Sequence, residues 1–311
     1  MSDEQPDPKR AVAALEWAAV RAQGAAGPHR APPVRPQDYR AAAGSERAAI
    51  RAQLDRVLLA PEPEQGLDAL LECGALAALL PEVQELVGFS DGEWRHKDVW
   101  KHTKQVVAQA ESRLALRWAA LLHDVGKVKT RSIAPDGRVH FLGHAETGAR
   151  ILDKMEQRLG LFGDERELRQ SIRFLILHHL RASQYGVSWT DSAVRRFARE
   201  MGGHLEDLLC LARADITTKR PERRRQGLQQ IDALQARISL LAAEDAKPKP
   251  LPTGMGDVLM SAFGLPPSRK IGDMMRALEA EIRAGRLPAQ REPAFYLELV
   301  KRDPQRYGLV P

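Results

Sequence analysis

The sequence has little cysteine, few aromatic residues and no long apolar run. Its 311 residues include two cysteines, Cys73 and Cys210, and neither lies in a Cys-x-x-Cys pair, which excludes a disulfide framework. Aromatic residues make up 5% of the chain, so aliphatic side chains must fill the core. No run approaches the ~18 apolar residues that span a bilayer, and the polar start has no apolar segment typical of a secretory signal. We therefore expect a cytoplasmic protein with no membrane partner.

Charge is distributed unevenly along the chain, whose formal net charge is +6. Residues 46–95 are net negative, whereas residues 96–216 and 217–311 are both net positive. The basic part permits an anionic partner such as a nucleic acid. A solvated basic surface explains the same pattern, so composition alone leaves both interpretations open.

The apolar residues recur at helical spacing through most of the chain, and alternating strand patterns are lacking. Together with the many alanines and leucines, this predicts an all-α fold. Residues 1–45 are rich in Ala, Pro and Arg, and we expect a flexible segment with one short helix over 10–23 and an irregular linker over 24–36. Helices are expected over 46–87, and a Pro-rich linker precedes a small helical unit within 246–311, with helices near 256–263 and 271–285. Between them, helices are predicted over 99–110, 114–125, 144–158, 168–180, 192–201, 205–218 and 224–241.

Several histidines and aspartates fall within or beside these predicted helices. In chain order they are His102, His123, Asp124, His144, His178, His179 and Asp215. An aspartate beside a histidine in an apolar helix is costly to bury unless both are satisfied. Mixed histidine and carboxylate sets suit Mn²⁺, Fe²⁺, Co²⁺, Ni²⁺ and Zn²⁺. Adjacent helix positions project about 100° apart, so His123 and Asp124 share an ion only if other helices close the site.

The order His102…His123-Asp124…Asp215 resembles the metal signature of the HD-domain metal-dependent phosphohydrolases. The string LHDVGK at 122–127 is similar to the central motif of that family. The resemblance implies an all-α HD-domain bundle that hydrolyses phosphoesters with a bound divalent ion.

Further strings resemble the HD-containing part of the bacterial tRNA nucleotidyltransferases, the CCA-adding and poly(A) polymerase superfamily. They are FLGHAETGAR at 141–150, DITTKRP at 215–221, the segment 54–82 and the tail 263–272. By this resemblance, residues 46–95 are a helical neck-like segment, 96–245 the HD phosphohydrolase domain, and 246–311 a linker with a small helical C-terminal unit. Those enzymes carry a nucleotidyltransferase head with an Asp-x-Asp metal pair. This sequence has no Asp-x-Asp, and residues 1–45 are too short and Pro-rich for such a head, so we do not expect CCA addition.

The resemblance also implies roles for individual residues. The implied ligands of a first ion are His102, His123, Asp124 and Asp215, and Asp124 would bridge if two ions bind. His144 and His179 match positions that bind a second ion or the substrate phosphate in some members of the superfamily. His178 is either a further ligand or a packed histidine.

Basic residues near the motif are candidates for contact with substrate. Asp124 and Lys127 are the candidate catalytic residues, and Lys127, Thr130 and Arg131 the candidate phosphate contacts. Lys127 has an alternative explanation as a cation at a helix C-terminus, and Arg131 has one as a solvated side chain. A later basic run either follows a polynucleotide backbone or is a solvent-facing helix start. It comprises Lys219, Arg220, Arg223 and Arg224.

The leading hypothesis is a metal-dependent phosphohydrolase that acts on nucleotides or RNA ends, such as 2′,3′-cyclic phosphates, through a metal-activated water. It would use one or two divalent ions, namely Mn, Ni, Co, Fe, Zn or Mg. One alternative is a non-catalytic module that binds tRNA or a nucleotide. Another is a hydrolase of a signalling nucleotide.

Overall fold

The computed structural model describes residues 5–24, 30–90, 98–186 and 188–309. Within these ranges helices make up almost all regular structure, which confirms the all-α class. The chain forms two compact units, Met1–Ser239 and Leu240–Pro311. None of the helices in the described ranges is long and apolar enough to span a membrane.

The first unit begins with six helices that precede the histidine and aspartate motifs. They are α1 (Pro8–Ala22), α2 (Pro36–Ser45), α3 (Arg47–Leu59), α4 (Pro63–Glu72), α5 (Ala75–Leu79) and α6 (Pro81–Gln84). The expected boundary between the neck-like segment and the following domain, at residue 95, lies outside the described residues, as do residues 25–29 of the expected linker.

Helix α1 agrees with the short helix expected over 10–23, whereas α2 lies in the part of residues 1–45 that was expected to be flexible. Helix α1 packs against α2, α3 and α4. Its alanines let the helices approach closely, since a Cβ on Gly66 of α4 would lie 2.5 Å from the Cβ of Ala22 and 3.3 Å from the carbonyl oxygen of Ala18. Trp17 adds a large buried side chain to this face. An Ala-rich composition therefore reflects close helix packing here rather than a lack of structure.

The second half of the first unit carries the motifs. Its elements are α7 (Val99–Gln109), α8 (Leu114–Leu122), α9 (Lys127–Thr130), β1 (Ser132–Ile133), β2 (Val139–His140), α10 (His144–Leu159), α11 (Arg166–His178), α12 (Asp191–Met201), a 3₁₀ helix (Gly202–His204), α13 (Leu205–Ala214) and the start of α14 (Pro221–Asp245). Helix α8 is central, because it packs against α3, α7, α11 and α13.

Two side chains of α8 anchor it in the core. Trp118 is fully buried, and its Nε1 donates to Asp55 Oδ1 at 2.7 Å. The buried guanidinium of Arg117 donates to main-chain carbonyls at the ends of two other helices. Its Nη1 lies 2.7 Å from Leu58 O, and its Nε lies 2.8 Å from Ala110 O. Arg117 thus satisfies carbonyls that the C-termini of α3 and α7 leave free.

A short hairpin interrupts the helices, although the sequence shows no alternating strand pattern. Strands β1 and β2 are antiparallel, with Ser132 opposite His140 and Ile133 opposite Val139. The turn between them contains the Pro135-Asp136-Gly137 run, where Gly137 has a φ of +82°. With two residues each, these strands are too short for a period of two to be recognised.

The second unit is a small helical body. Its helices are α15 (Met255–Phe263), α16 (Arg269–Arg283) and α17 (Pro293–Arg302), after the end of α14. The first two agree with the predicted helices, whereas α17 has no counterpart in the sequence interpretation. Met255, Met274 and Tyr296 form part of its core, and the Tyr296 hydroxyl donates to Pro288 O at 2.7 Å.

Candidate metal centre

The conspicuous histidines and aspartates meet at the ends of helices. Helices α8, α11 and α13 end one residue before His123, His179 and Asp215, and α10 begins at His144. The predicted helices ran two to four residues further at these ends. His123 itself keeps helical backbone angles, and its Nε2 lies 3.3 Å from Oδ2 of the adjacent Asp124. His102 joins them from the second turn of α7.

The first group joins two histidines to two carboxylates. The Nε2 atoms of His102 and His123 are 3.4 Å apart. Asp124 Oδ2 lies 3.5 Å from the first and 3.3 Å from the second. Asp215 Oδ1 lies 3.0 Å from His102 Nε2 and 3.7 Å from His123 Nε2. Asp124 is buried whereas the Asp215 side chain is 31% exposed, so solvent reaches the group from the Asp215 side.

The second group shares Asp124 with the first. The Nε2 atoms of His144 and His179 are 3.2 Å apart, and Asp124 Oδ1 lies 3.7 Å from His144 Nε2. Both histidines are buried. The two oxygens of one carboxylate therefore face two different histidine pairs. Ligand atoms of His102, His123 and Asp124, and those of Asp124, His144 and His179, are each grouped closely enough to hold a metal ion.

Main-chain carbonyls fix the tautomers of three of these histidines. The Nδ1 atoms of His123, His144 and His179 each lie 2.8 Å from a carbonyl oxygen three residues earlier in the chain. A carbonyl can only accept, so each Nδ1 carries the hydrogen and each neutral ring presents a lone pair at Nε2. The fourth histidine, His102, places its Nδ1 2.8 Å from the hydroxyl of Thr217. Such partners orient metal-binding imidazoles.

The donor set fits a divalent ion. In neutral rings the Nε2 lone pairs of His144 and His179 face each other at 3.2 Å, next to a carboxylate. This arrangement is repulsive unless positive charge lies between the atoms, as a proton or as a metal ion. Nitrogen and carboxylate ligands are those that transition-metal ions of the Mn to Zn series accept.

The protonation equilibria favour a donor set ready for metal. Burial lowers the pKa of His179 to about 4, with a further contribution from His123, and burial also lowers the pKa of His102. Burial opposes ionisation of Asp124, yet His123 and Lys127 hold its pKa well below its ordinary value. Burial also opposes ionisation of Asp215, but its hydrogen bond to His102 and the charges of His123 and His102 together lower its pKa. Metal ligands must be deprotonated, so these shifts favour metal binding at neutral pH.

His123 differs from the other histidines. Burial alone would lower its pKa, but the carboxylates of Asp124 and Asp215 raise it. A proton on this imidazole is therefore the charge that competes most directly with an ion in the first group.

The structure places the candidate phosphate contacts in different settings. Lys127 Nζ lies 2.7 Å from Asp124 Oδ2, directly beside the centre. The Thr130 hydroxyl donates to Gly126 O at 3.0 Å, one turn back along the chain. Arg131 is exposed at the start of the hairpin. Lys127 alone of the three makes a contact with a residue of the two groups.

His178 does not join either group, although its neighbour His179 does. Its ring lies 4.3 Å from that of Phe174, with the ring of His204 on the same phenylalanine at 4.5 Å. Because residues one apart on a helix point about 100° apart, His179 and His178 face different surroundings. Of the two roles considered for His178, a further ligand or a packed histidine, the geometry agrees with the packed histidine.

The later basic run lies on the surface at the start of α14. Lys219, Arg220, Arg223 and Arg224 are all exposed. A cleft of about 520 Å³ is lined by two of these residues, Lys219 and Arg224, and also by Thr217, the hydrogen-bond partner of His102. Thr217 thus connects the cleft beside the basic run with His102 of the first group.

Two features of the centre were not foreseen in the sequence. Thr217 lies 115 residues from His102, and only its position two residues after Asp215 hinted at a role. Gly126 lets the main chains of two motifs touch, since a Cβ there would lie 2.0 Å from His144 O and 2.8 Å from Gly148 N. Its φ of −69° is ordinary, so close approach and not backbone freedom requires glycine at this position.

Comparison with known proteins agrees with this geometry. Residues 97–236 match the HD domain family, and this range holds every residue of the two groups. The chain therefore contains an HD domain, which indicates the superfamily of metal-dependent phosphohydrolases.

Its relatives are tRNA nucleotidyltransferases. The chain is 33% identical to the A-adding tRNA nucleotidyltransferase of Deinococcus radiodurans over 243 residues, which is 76% of this chain and 54% of that protein. It is 32% identical to the CC-adding tRNA nucleotidyltransferase of Thermus thermophilus over 263 residues, 81% of this chain and 56% of that protein. The chain thus spans about half the length of these relatives. The resemblance stated from sequence motifs is confirmed: this is an HD-containing protein similar to tRNA nucleotidyltransferases.

Proposed function

We propose that the HD domain is a metal-dependent phosphohydrolase acting on nucleotides or RNA ends, such as 2′,3′-cyclic phosphates. The observation that carries the proposal is the division of Asp124 between two histidine pairs, with Oδ2 facing one pair and Oδ1 the other. Two divalent ions bridged by a carboxylate suit phosphoester hydrolysis, because they clamp the attacking and leaving oxygens.

Each residue of the centre has a role in this proposal. His102, His123, Asp124 and Asp215 hold one ion, and Asp124, His144 and His179 hold the other. A bound divalent ion of the Mn, Fe, Co, Ni, Zn or Mg kind supplies a water nucleophile at neutral pH and shields phosphate charge.

Lys127 is the catalytic cation of the chain itself. It is hydrogen bonded to Asp124 Oδ2, the oxygen that faces the first group, and it lines the same cleft as His144, where it can neutralise a substrate phosphate oxygen. Thr130 and Arg131 are further candidates for phosphate contact along the same segment.

The test is hydrolysis of bis-p-nitrophenyl phosphate and 2′,3′-cyclic AMP by purified protein, with Mn²⁺, Ni²⁺, Co²⁺, Zn²⁺ and Mg²⁺ compared. Turnover that depends on metal and is lost in Asp124→Asn supports the proposal. The matched control is Asp153→Asn, because Asp153 pairs with Arg173 on the surface at 3.0 Å and is expected to be dispensable. A folded protein with no turnover under any metal contradicts it.

A second candidate is a module that binds tRNA without catalysis. The exposed cations from Lys219 to Arg224 favour it, since lysine and arginine contacts to phosphates give salt-dependent binding without sequence specificity. Both relatives named above are described as tRNA nucleotidyltransferases. Fluorescence anisotropy with labelled tRNA and metal-free protein tests it: binding that survives chelation and is lost when Lys219 and Arg224 become Glu favours this module.

A further inference from the structure

A cleft of about 460 Å³ opens beside the second histidine group. Lys127 and His144 are among its lining residues, so the cleft reaches the proposed catalytic centre. The rest of the wall comes from residues 139–146 and from Leu177, Leu180, Arg181 and Gln184. Its volume lies in the range of about 300–1,000 Å³ that small-molecule sites occupy.

Apolar side chains are grouped in this cleft and partly open to solvent. Leu142 is 81% exposed and Leu180 36% exposed, and both line it together with Phe141 and Leu177. Single exposed leucines are common, but grouped apolar surface rimmed by polar residues is typical of a ligand groove.

The polar residues of the cleft indicate the charge of its ligand. Lys127 and Arg181 are cations, whereas Glu146 is the one carboxylate among the lining residues. Arg181 pairs with Glu200 at 2.7 Å, so Lys127 is the cation nearest the centre. Gln184 is exposed, and among the residues that the structure describes its side-chain amide has no hydrogen-bond partner. An amide of this kind can pair with the polar edge of a nucleobase.

The wall of the cleft is also tied to a proposed metal ligand. Phe141 O accepts the hydrogen bond from His144 Nδ1 at 2.8 Å. The residue after Phe141 is Leu142, and Gly143 then turns into α10 with a φ of +75°. The apolar wall and the metal ligand therefore lie in one short segment, at a fixed separation.

We propose that this cleft binds the base of the nucleotide whose phosphoester is hydrolysed at the centre. Leu142 and Leu180 contact the base, Gln184 contacts its polar edge, and Lys127 the phosphate. This inference rests on the proposed function and names the part of the substrate that the site recognises. It predicts that a base contributes to affinity and that Leu142 determines much of that contribution.

The first test is independent of catalysis. Saturation-transfer NMR is recorded with metal-free protein and adenosine 3′-monophosphate. We expect stronger saturation of the adenine H2 and H8 than of ribose H1′, and a loss of that difference in Leu142→Ser. The matched control is Ile133→Ser, because Ile133 is 63% exposed on β1 and does not line the cleft. Equal saturation of base and ribose, or equal loss in both variants, overturns the inference.

The second test compares two substrates. Methyl β-D-ribofuranoside 2′,3′-cyclic phosphate has the phosphoester of 2′,3′-cyclic AMP without its base. In Leu142→Ser we expect kcat/KM for 2′,3′-cyclic AMP to fall about tenfold, equivalent to ~1.4 kcal/mol, and kcat/KM for the base-free compound to stay unchanged. If the wild type hydrolyses both compounds equally well, the base pocket is refuted while the phosphohydrolase stands. If it hydrolyses neither but bis-p-nitrophenyl phosphate is cleaved, the ribose phosphoester substrate is refuted; if nothing is cleaved, the proposed function itself fails.

Discussion

We expect metal-free protein to bind two divalent ions, one in each histidine group, and histidine substitutions should remove the two binding sites one at a time. His179→Ala removes one Nε2 from the second group and leaves the first intact, so it should bind one ion per chain where the wild type binds two. Asp124→Ala removes the carboxylate shared by both groups and should abolish tight binding. His178→Ala is the matched control, because His178 stacks on Phe174 outside both groups.

The size of the effect follows from linkage. At a free ion concentration one hundred times the Kd, each filled position stabilises the folded protein by ~2.7 kcal/mol. For a unit of this size, roughly 2–4 °C of melting temperature correspond to each kcal/mol. Two ions should therefore raise Tm by roughly 10–20 °C in the wild type, and one ion by roughly 5–10 °C in His179→Ala.

Isothermal titration calorimetry with Mn²⁺ and Ni²⁺ gives the stoichiometry, and scanning calorimetry gives Tm. The reasoning is refuted if saturated wild-type protein binds a single ion. It is also refuted if His178→Ala loses an ion while His179→Ala does not.

Three further predictions concern the spacing of the centre and the stability of the first unit. Gly126→Ala brings a methyl group into the main chain of α10 and displaces His144, so calorimetry should show at least tenfold weaker binding of the second ion; unchanged affinity would contradict this. Arg117→Met leaves carbonyls of two helix ends unsatisfied, and urea unfolding should show a loss of about 2–4 kcal/mol, whereas a loss below about 1 kcal/mol would argue against it. Asp38 is bonded by Arg35 and by the Asp7 amide, which lower its pKa, so its stabilisation is present above the ordinary carboxyl pKa of about 3.9 and lost as pH falls below it. The stability difference between wild type and Asp38→Asn should accordingly shrink below about pH 4, and a difference that grows there would refute the sign.

Local chemistry drew attention to one pair of residues, because a histidine and an aspartate side by side in an apolar helix need partners. The full ligand set was implied by the resemblance to the HD-domain phosphohydrolases, and the structure brings those residues close together. The bonds from Nδ1 of His123, His144 and His179 to carbonyls three residues earlier are equally local. By contrast, the contact of His102 with Thr217 joins distant parts of the chain, and no residue pattern encodes which hydroxyl will face which imidazole.

In the N-terminal segment the helix over 10–23 was expected, but α2 and the packing of α1 against its neighbours were not, for a related reason. Its alanines and prolines resemble a biased, unstructured composition when read one residue at a time. The alanines matter because their side chains are small, so that α1 at Ala18 and Ala22 can lie close to α4 at Gly66. Packing of this kind depends on the partner surface, and a single sequence does not display which surfaces meet.

The contact at Gly126 separates the stability of the domain from the spacing of its two histidine pairs, two properties that usually change together. The distance between Asp124 and His144 is limited by main-chain atoms of the HD motif and of α10, which touch where a side chain would not fit. Substitutions in the surrounding apolar core can then alter how firmly the domain is folded without altering the spacing of its two histidine pairs. The main-chain contact at Gly126 thus sets a lower limit on the distance between the two histidine pairs, and changes in the side chains around it leave that limit in place.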